Sequence, residues 1–384
     1  MSASQTISAA FALGGLAGHN AHGAGFLQAA LETKLQPAMI SCTSGQIRWV
    51  HRYLEVLQAR EQGDENADLH PLFEQELASL NKTGEINTDV ALLGMFGKEN
   101  VFRPSYGRVL SDFMRNAGES LMRFPRPGGL LAQRLLSMLP GRSLVPDASP
   151  AYYAQVAQVL GASPIGIAFN AYSPCEGIEY VYLNAAARVL LADPASPDKY
   201  APEHPTQRHP RRVYRDISAA GVRDALWLYQ YGFYDPEQQC VDGVYFRNIM
   251  LAELVAADTI FVVRPVHHRW QGELPRNYPG VEDLKTRVGM NGAYAGERDQ
   301  ITLINKLLAR NCLDVQGGRG YHHVELVELE IGLQRGYFDY MLESREVFEQ
   351  ARSMALAHFR DRADLPLAGP PGRANVTSCH RTLS

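Results

Sequence analysis

Short apolar runs alternate with segments of helical spacing along the first part of the chain. Two runs, over 7–13 and 37–42, are each followed by apolar residues three and four positions apart, over 26–31 and 47–57. Short apolar runs are typical of buried strands, and the wider spacing is typical of helices. This order of strand, helix, strand and helix predicts a mainly parallel sheet covered by helices, so the expected fold class is α/β.

The same pattern returns later in the chain. Apolar or alternating runs predict strands over 165–169, 180–183, 258–263 and 322–331. Helical spacing predicts helices over 218–229, 250–254, 296–311 and 337–359. We expect a single domain over 5–360, followed by a disordered tail over 361–384, because the tail combines prolines with polar residues.

Residues 62–150 interrupt this regular pattern and predict a mostly helical insertion, which is a candidate lid. Within it, 130–139 carries an apolar stripe with few charges, between Pro127 and Pro140. Such a stripe is explained either by packing in the core or by a lid or a surface that touches a membrane. The sequence leaves both explanations open.

Composition narrows the class of protein. The chain has 384 residues, 46% of them hydrophobic and 20% charged, which is enough apolar material for a large core. A formal net charge of −4 and an isoelectric point near 6.3 argue against a nucleic-acid partner. Five scattered cysteines without C-x-x-C spacing indicate reduced thiols. No apolar run could span a bilayer and the first residues lack a basic secretory segment, so we expect a cytoplasmic protein.

The first predicted strand ends in the glycine-rich loop 14–18, directly before a helix. Such loops bring backbone N–H groups close to an anion, which suits a dinucleotide or a developing oxyanion. A dinucleotide site predicts a carboxylate at the end of the second strand, and none is present there. A third explanation is that the glycines only allow close packing of helix on strand.

The second predicted strand leads into the turn Thr43-Ser44-Gly45 and then a helix. A serine on a tight turn from strand to helix is held clear of the sheet, where it can act as an acyl-transfer nucleophile. Alternatively, Thr43 or Ser44 only caps the helix that follows.

A serine nucleophile needs a base. Asp242 is the best candidate, because it too follows a short apolar run and is followed by a glycine. A carboxylate can take the hydroxyl proton when it is held against it in a partly dry site. The alternative is an ordinary Asp-Gly turn.

These ordered features resemble the patatin-like phospholipases. That family combines an oxyanion loop G-G-G-x-K/R-G, a G-x-S-x-G elbow and a D-G-G/A motif, and it uses a Ser-Asp dyad without a histidine. Ser44 falls on the nucleophile, Asp242 and Gly243 on the start of the aspartate motif, and Asn248 on an asparagine that often follows it. The resemblance covers roughly 7–60 and 160–265.

The chain departs from the family pattern at several positions. Cys42 and Gln46 replace the elbow glycines, and Val244 replaces the second glycine of the aspartate motif. The loop 14–18 has no basic residue. Side chains at Cys42 and Gln46 are expected to crowd the tight turn.

The resemblance implies a three-layer α/β/α sandwich and a serine hydrolase that cleaves a lipid or another acyl ester, with a peripheral membrane contact. It assigns Ser44 as nucleophile and Asp242 as base. The implied oxyanion donors are the backbone N–H groups of Gly14, Gly15, Leu16, Ala17, Gly18 and Gly45. One alternative is a catalytically silent module of the same fold that binds lipid or protein, and another is a nucleotide-binding protein.

No metal or cofactor is expected. The adjacent histidines His267 and His268, and likewise His322 and His323, would point to opposite faces of a strand and so could not chelate together. His19 and His22 lie in or beside the glycine loop.

Overall fold

The computed structural model describes residues 8–16, 20–81, 101–122, 138–139, 144–192, 212–233, 238–313, 321–331 and 344–360. In chain order, its strands are β1 Ala9–Leu13, β2 Met39–Cys42, β3 Phe102–Pro104, β4 Leu144–Pro146, β5 Gly166–Ser173, β6 Ile178–Leu183, β7 Arg212–Asp216, β8 Val241–Asp242, β9 Thr259–Arg264 and β10 Glu325–Glu330. Its α-helices are α1 Ala21–Thr33, α2 Gln46–Glu61, α3 Leu69–Asn81, α4 Tyr106–Met122, α5 Pro150–Ala162, α6 Ala185–Leu191, α7 Ala219–Ala225, α8 Tyr278–Ala309 and α9 Arg345–Arg360.

The main sheet is mixed but mostly parallel. Its strand order is β10-β9-β1-β2-β5-β6-β7, and β8 pairs with β5 outside this path. The five strands from β10 to β5 run parallel, whereas β6 and β8 pair antiparallel with β5. The predicted α/β class is therefore confirmed, with β6 and β7 reversed at one edge.

Alternation along the strands explains why both faces of the sheet are covered. In β1, Phe11 and Leu13 belong to one buried cluster with α1, α2 and α9, whereas Ala10 and Ala12 belong to another with α6 and α8. Successive side chains of a strand point to opposite faces, so one strand feeds two cores. The result is a sheet flanked by helices, which is compatible with a three-layer sandwich.

One predicted helix is wrong. Residues 252–256 form turns, and there is no helix over 250–254. The backbone N–H groups of Leu251 and Ala252 donate to Glu297 Oε2 at 2.6 and 3.2 Å. Because this carboxylate comes from the distant helix α8, helical spacing in the local sequence could not reveal the competing contact.

The predicted insertion 62–150 contributes to the core as well as to the surface. Phe73 of α3 stacks on Phe348 of α9 with ring centroids 4.3 Å apart, so α3 is part of the packed layer. β3 and β4 form a separate antiparallel pair. Most of the apolar stripe 130–139, and all of the tail 361–384, lie outside the described residues. No helix of the described part is both long and apolar enough to cross a membrane.

Candidate active site

Ser44 has a backbone conformation that residues with a Cβ rarely adopt. Its φ is 55°, and among the described residues only Lys34 and Asn311 share a positive φ without being glycine. Those two residues follow the last turns of helices, where the left-handed conformation is common. Ser44 instead lies between β2 and the start of α2, where this conformation costs about 1–3 kcal/mol and is typical of a nucleophile elbow.

The capping explanation for this turn is wrong. The N-cap residue of α2 is Gly45, and no side chain makes a capping hydrogen bond there. Ser44 is almost fully buried, with 1% of its surface exposed. A strained, buried serine that does not cap its helix requires another explanation, and nucleophilic chemistry supplies one.

Thr43 connects the elbow to the glycine loop and to the segment that follows Asp242 through hydrogen bonds. Its Oγ1 accepts a hydrogen bond from Gly15 N–H at 2.8 Å and donates one to the Asn248 carbonyl at 2.8 Å. A Cβ at Gly15 would lie 2.6 Å from the Cβ of Ser44, so only glycine allows the loop to run this close to the elbow. Sequence reasoning had assigned no such role to Thr43.

The other described N–H groups of the glycine loop are also engaged. Gly14 N–H donates to the Val263 carbonyl at 3.2 Å, and Leu16 N–H donates to Asn20 Oδ1 at 3.3 Å. An anion at these positions would have to replace acceptors that are already present. The remaining loop candidates, Ala17 and Gly18, lie outside the described residues.

Gly45 differs from the loop residues. Its N–H, like that of Ser44, has no hydrogen-bond acceptor among the described residues. It directly follows the serine at the opening of α2, where the unpaired N–H groups of a helix favour negative charge. Of the described oxyanion candidates, Gly45 is therefore the one with an available donor.

Strand pairing brings Asp242 to the end of β2. In the sheet, β2 pairs with β5 up to Cys42, which lies opposite Phe169. Two residues further along β5, Ala171 pairs instead with Asp242 of β8. Asp242 is fully buried. Its N–H donates to the Trp227 carbonyl at 2.9 Å, which fixes the backbone.

The two carboxylate oxygens of Asp242 have different surroundings. Oδ1 accepts a hydrogen bond from Val244 N–H at 2.9 Å, whereas Oδ2 is buried without a hydrogen-bond partner among the described residues. Burial raises the pKa of Asp242 to about 7, although the nearby Ser44 hydroxyl and the Val244 N–H both act to lower it. A carboxyl group whose own pKa is near neutrality, and which lies beside a serine, is suited to act as a general base at physiological pH.

The two supporting residues of the aspartate motif are both buried. A Cβ at Gly243 would lie 2.7 Å from Asn170 Nδ2, so this position also requires a glycine. Asn170 Nδ2 donates to Glu179 at 2.8 Å and to the Arg247 carbonyl at 3.2 Å. Asn248 contributes its backbone carbonyl to Thr43 rather than its side chain.

A buried ionic cluster is centred on Arg247, in the segment 243–248 that follows Asp242 and is called the aspartate loop below. Arg247 donates to Glu179 at 2.7 Å, to Glu253 at 2.8 and 3.0 Å, and to Glu297 at 2.7 Å. Arg212 joins the same carboxylates, with 2.9 Å between Nε and Glu179. Burial raises the pKa of Glu253, but Arg247 and Arg212 outweigh burial and lower it to about 2. The cluster was not predicted, because its members are scattered over the sequence.

His22 supports the loop. It is fully buried, and its Nε2 lies 2.6 Å from the Gly14 carbonyl oxygen and 2.8 Å from the side-chain amide of Gln46. A ring nitrogen that donates to a loop carbonyl holds the loop in place and is not available to a nucleophile. His19 lies outside the described residues.

The expectation for the pair His267 and His268 was wrong in its geometry. β9 ends at Arg264, so these histidines are not on a strand, and both Nδ1 atoms reach Glu330 Oε2, at 3.3 and 2.9 Å. Arg264 contacts the same carboxylate at 2.6 Å. Across the described residues, no group of three or more His, Cys, Asp or Glu side chains is arranged to hold a metal ion.

Comparison with models of known protein families finds no match, and a search of curated proteins finds none either. The geometry of this chain alone therefore carries the functional argument.

Proposed function

We propose that this chain is a serine hydrolase of acyl esters, patatin-like in fold and in its use of a Ser-Asp dyad. The observation that carries the proposal is the pairing of Ser44 with Asp242. A serine in a strained elbow lies beside a buried carboxyl whose Oδ2 has no other partner in the described part of the chain. Acyl transfer needs a nucleophile and a base, and in this proposal Ser44 and Asp242 provide them.

In this mechanism, Ser44 Oγ attacks the ester carbonyl carbon and Asp242 Oδ2 takes the hydroxyl proton. The negative charge that forms on the carbonyl oxygen is stabilised by Gly45 N–H at the opening of α2. Asp242 then gives its proton to the departing alkoxide, which leaves an acyl ester on Ser44. Water attacks this ester with Asp242 again as base, and release of the acid restores the serine.

Helix α4 supports a lipid or membrane-bound ester as substrate. Tyr106, Leu110, Phe113 and Met114 of α4 are 60%, 64%, 38% and 63% exposed, whereas Asp112 of the same helix is buried. Apolar residues three and four positions apart share one helix face, and an exposed face of this kind suits contact with a lipid surface. β3, which precedes α4, packs with Leu228 and Tyr231 near Asp242.

A second candidate is a silent module of the same fold that binds lipid or protein. The observation in its favour is that the described N–H groups of Gly14, Gly15 and Leu16 all have acceptors already. In that case Ser44 would be structural, and no covalent step would occur.

Turnover of short-chain p-nitrophenyl esters tests the hydrolase proposal. We expect the wild type and Ser111→Ala to hydrolyse them, because Ser111 is an exposed serine of α4 whose hydroxyl donates to the Arg108 carbonyl. Ser44→Ala and Asp242→Asn should lose activity by about 10³-fold or more. A folded wild type without turnover would favour the silent module, whereas an active Ser44→Ala variant would contradict the assignment of Ser44 as the nucleophile.

A further inference from the structure

Two pairs of stacked aromatic rings beside Asp242 have no part in the mechanism above. Tyr245 stacks on Tyr229 with centroids 3.9 Å apart, and Phe246 stacks on Tyr172 with centroids 4.6 Å apart. Tyr229, Tyr245 and Phe246 are 44%, 40% and 41% exposed. We refer to these four residues as the aromatic pairs.

The backbone fixes both pairs next to the carboxyl. Tyr245 ends the 3₁₀ turn that begins directly after Asp242. Tyr229 follows two residues after Trp227, whose carbonyl accepts the Asp242 N–H at 2.9 Å. Tyr172 is in the stretch of β5 that pairs with β8. Burial, followed by the charges of Tyr172 and Asp242, raises the pKa of Tyr229, as expected for a ring close to the carboxyl.

The proposed mechanism determines which part of the substrate lies near the aromatic pairs. Asp242 must protonate the departing alkoxide, so the alcohol oxygen has to come within about 2.6–3.2 Å of its carboxylate. The alcohol of the ester therefore occupies the Asp242 side of the site, and the acyl chain extends away from it. The aromatic pairs lie on this Asp242 side of the site.

The arrangement of the rings favours a flat, uncharged alcohol. Within each pair the rings are close to parallel, at 26° and 3°, so together they offer outer faces and edges. A quaternary ammonium group binds over the open faces of several aromatic rings, and stacking within each pair already covers one face of each ring. An aryl group can stack or pack edge-on against such rings at centroid distances of about 4.5–7 Å.

We propose that the aromatic pairs form a subsite for the alcohol of the substrate and favour esters of aryl alcohols. The proposal rests on the hydrolase function proposed above. It assigns Tyr229 and Tyr245 as specificity-determining residues that contact the leaving group and take no part in proton transfer.

Three butanoate esters with one acyl group test this subsite: 1-naphthyl butanoate, ethyl butanoate and butyrylcholine. In Tyr229→Leu and Tyr245→Leu, we expect kcat/KM for the naphthyl ester to fall by about two- to tenfold, the range of one aromatic contact. The ethyl ester should be little affected. Tyr321→Leu is the matched control, because Tyr321 is 55% exposed and lies before the edge strand β10. Equal losses on all three esters, or a loss confined to butyrylcholine, would overturn the subsite.

Binding of 1-naphthol to the Ser44→Ala variant separates this proposal from the hydrolase function. Equilibrium dialysis needs no turnover, and Ser44→Ala retains the aromatic pairs. We expect Tyr245→Leu, in the Ser44→Ala background, to weaken naphthol binding by the same factor as it lowers kcat/KM. If naphthol binds through Tyr245 but no ester is hydrolysed, the hydrolase function fails and the subsite stands. If esters are hydrolysed but Tyr245→Leu does not change naphthol binding, the subsite proposal is wrong and the hydrolase function stands.

Discussion

Gly23 of α1 lies directly against the side-chain amide of Gln46, so that a Cβ at residue 23 would overlap the amide. Gln46 occupies the position where the patatin-like elbow has its second glycine. Its side chain is fully buried and lies 2.8 Å from His22. The side chain of Gln46 fits at the elbow because Gly23 of the opposite helix has no side chain of its own.

Paired substitutions should reveal this compensation. Gln46→Gly alone leaves a cavity and should lower the free energy of unfolding by about 1–3 kcal/mol. Gly23→Ala alone should also be destabilising, since the amide must move. In the double variant the new methyl group enters the vacated space and alanine is the better helix former, so it should be more stable than Gln46→Gly. Urea unfolding of the four proteins measures this, and simple additivity would contradict the compensation.

The pH dependence of activity should follow Asp242. Because burial raises its pKa to about 7, the carboxyl is protonated below that pH and cannot accept the serine proton. We expect kcat/KM for a soluble ester to rise about tenfold per pH unit below pH 7 and to level off above it. A rate that is flat between pH 5 and pH 8, both about one to two units from that pKa, would exclude Asp242 as the base.

The same shift predicts a stability effect with a definite sign. The folded-state pKa of Asp242, about 7, lies above the ordinary aspartate value of 3.8, so its stabilising contribution is complete below 3.8 and is lost as the pH rises through 7. Asp242→Asn removes the buried charge and keeps an acceptor for Val244 N–H. The variant should therefore melt at a higher temperature than the wild type at alkaline pH and lose this advantage in acid. A lower melting temperature than the wild type at alkaline pH would contradict this assignment.

The exposed face of α4 should govern contact with lipid. Leu110→Asp and Met114→Asp should each weaken binding to vesicles of phosphatidylcholine and phosphatidylglycerol by about 1–2 kcal/mol, because an apolar side chain no longer enters the interface. Turnover of soluble esters should be unchanged. Val189→Asp is the control, since Val189 is an exposed apolar residue of α6. Equal vesicle binding by all variants would reject a lipid contact at α4.

The buried ionic cluster should dominate the stability of the aspartate loop. Arg247→Met leaves the carboxylates of Glu179 and Glu253 without their closest partner and should cost about 3–5 kcal/mol. Arg52→Met removes the partly exposed pair with Glu55 and should cost less than about 1 kcal/mol. Urea unfolding compares the two, and similar losses would mean that the cluster adds little.

The local pattern of apolar and polar residues was sufficient to predict most strands of the main sheet. β1, β2, β5, β6, β9 and β10 overlap predicted strands, because buried strands need consecutive or alternating apolar residues. The elbow could be predicted for a similar reason, since Thr43-Ser44-Gly45 directly joins an apolar run to a helical one. Local sequence carries such features because neighbours in the chain create them.

Contacts between distant segments could not be predicted. Glu297 captures the N–H groups of Leu251 and Ala252 and prevents a helix there. The acceptors of Gly14 and Gly15 come from Val263 and Thr43, so the sequence could not indicate that these donors are occupied. Each of these features depends on the pairing of strands and the packing of α8, which no single segment encodes.

Covalent labelling tests the central claim most directly. The purified protein is treated with a fluorophosphonate, digested, and the modified residue is located by mass spectrometry. We expect the label on Ser44, none in Ser44→Ala, greatly slowed labelling in Asp242→Asn, and normal labelling in Ser111→Ala, because only a serine beside a base is activated. A folded wild type that takes up no label, or a Ser44→Ala variant that is still labelled, would contradict the assignment of Ser44 as the nucleophile.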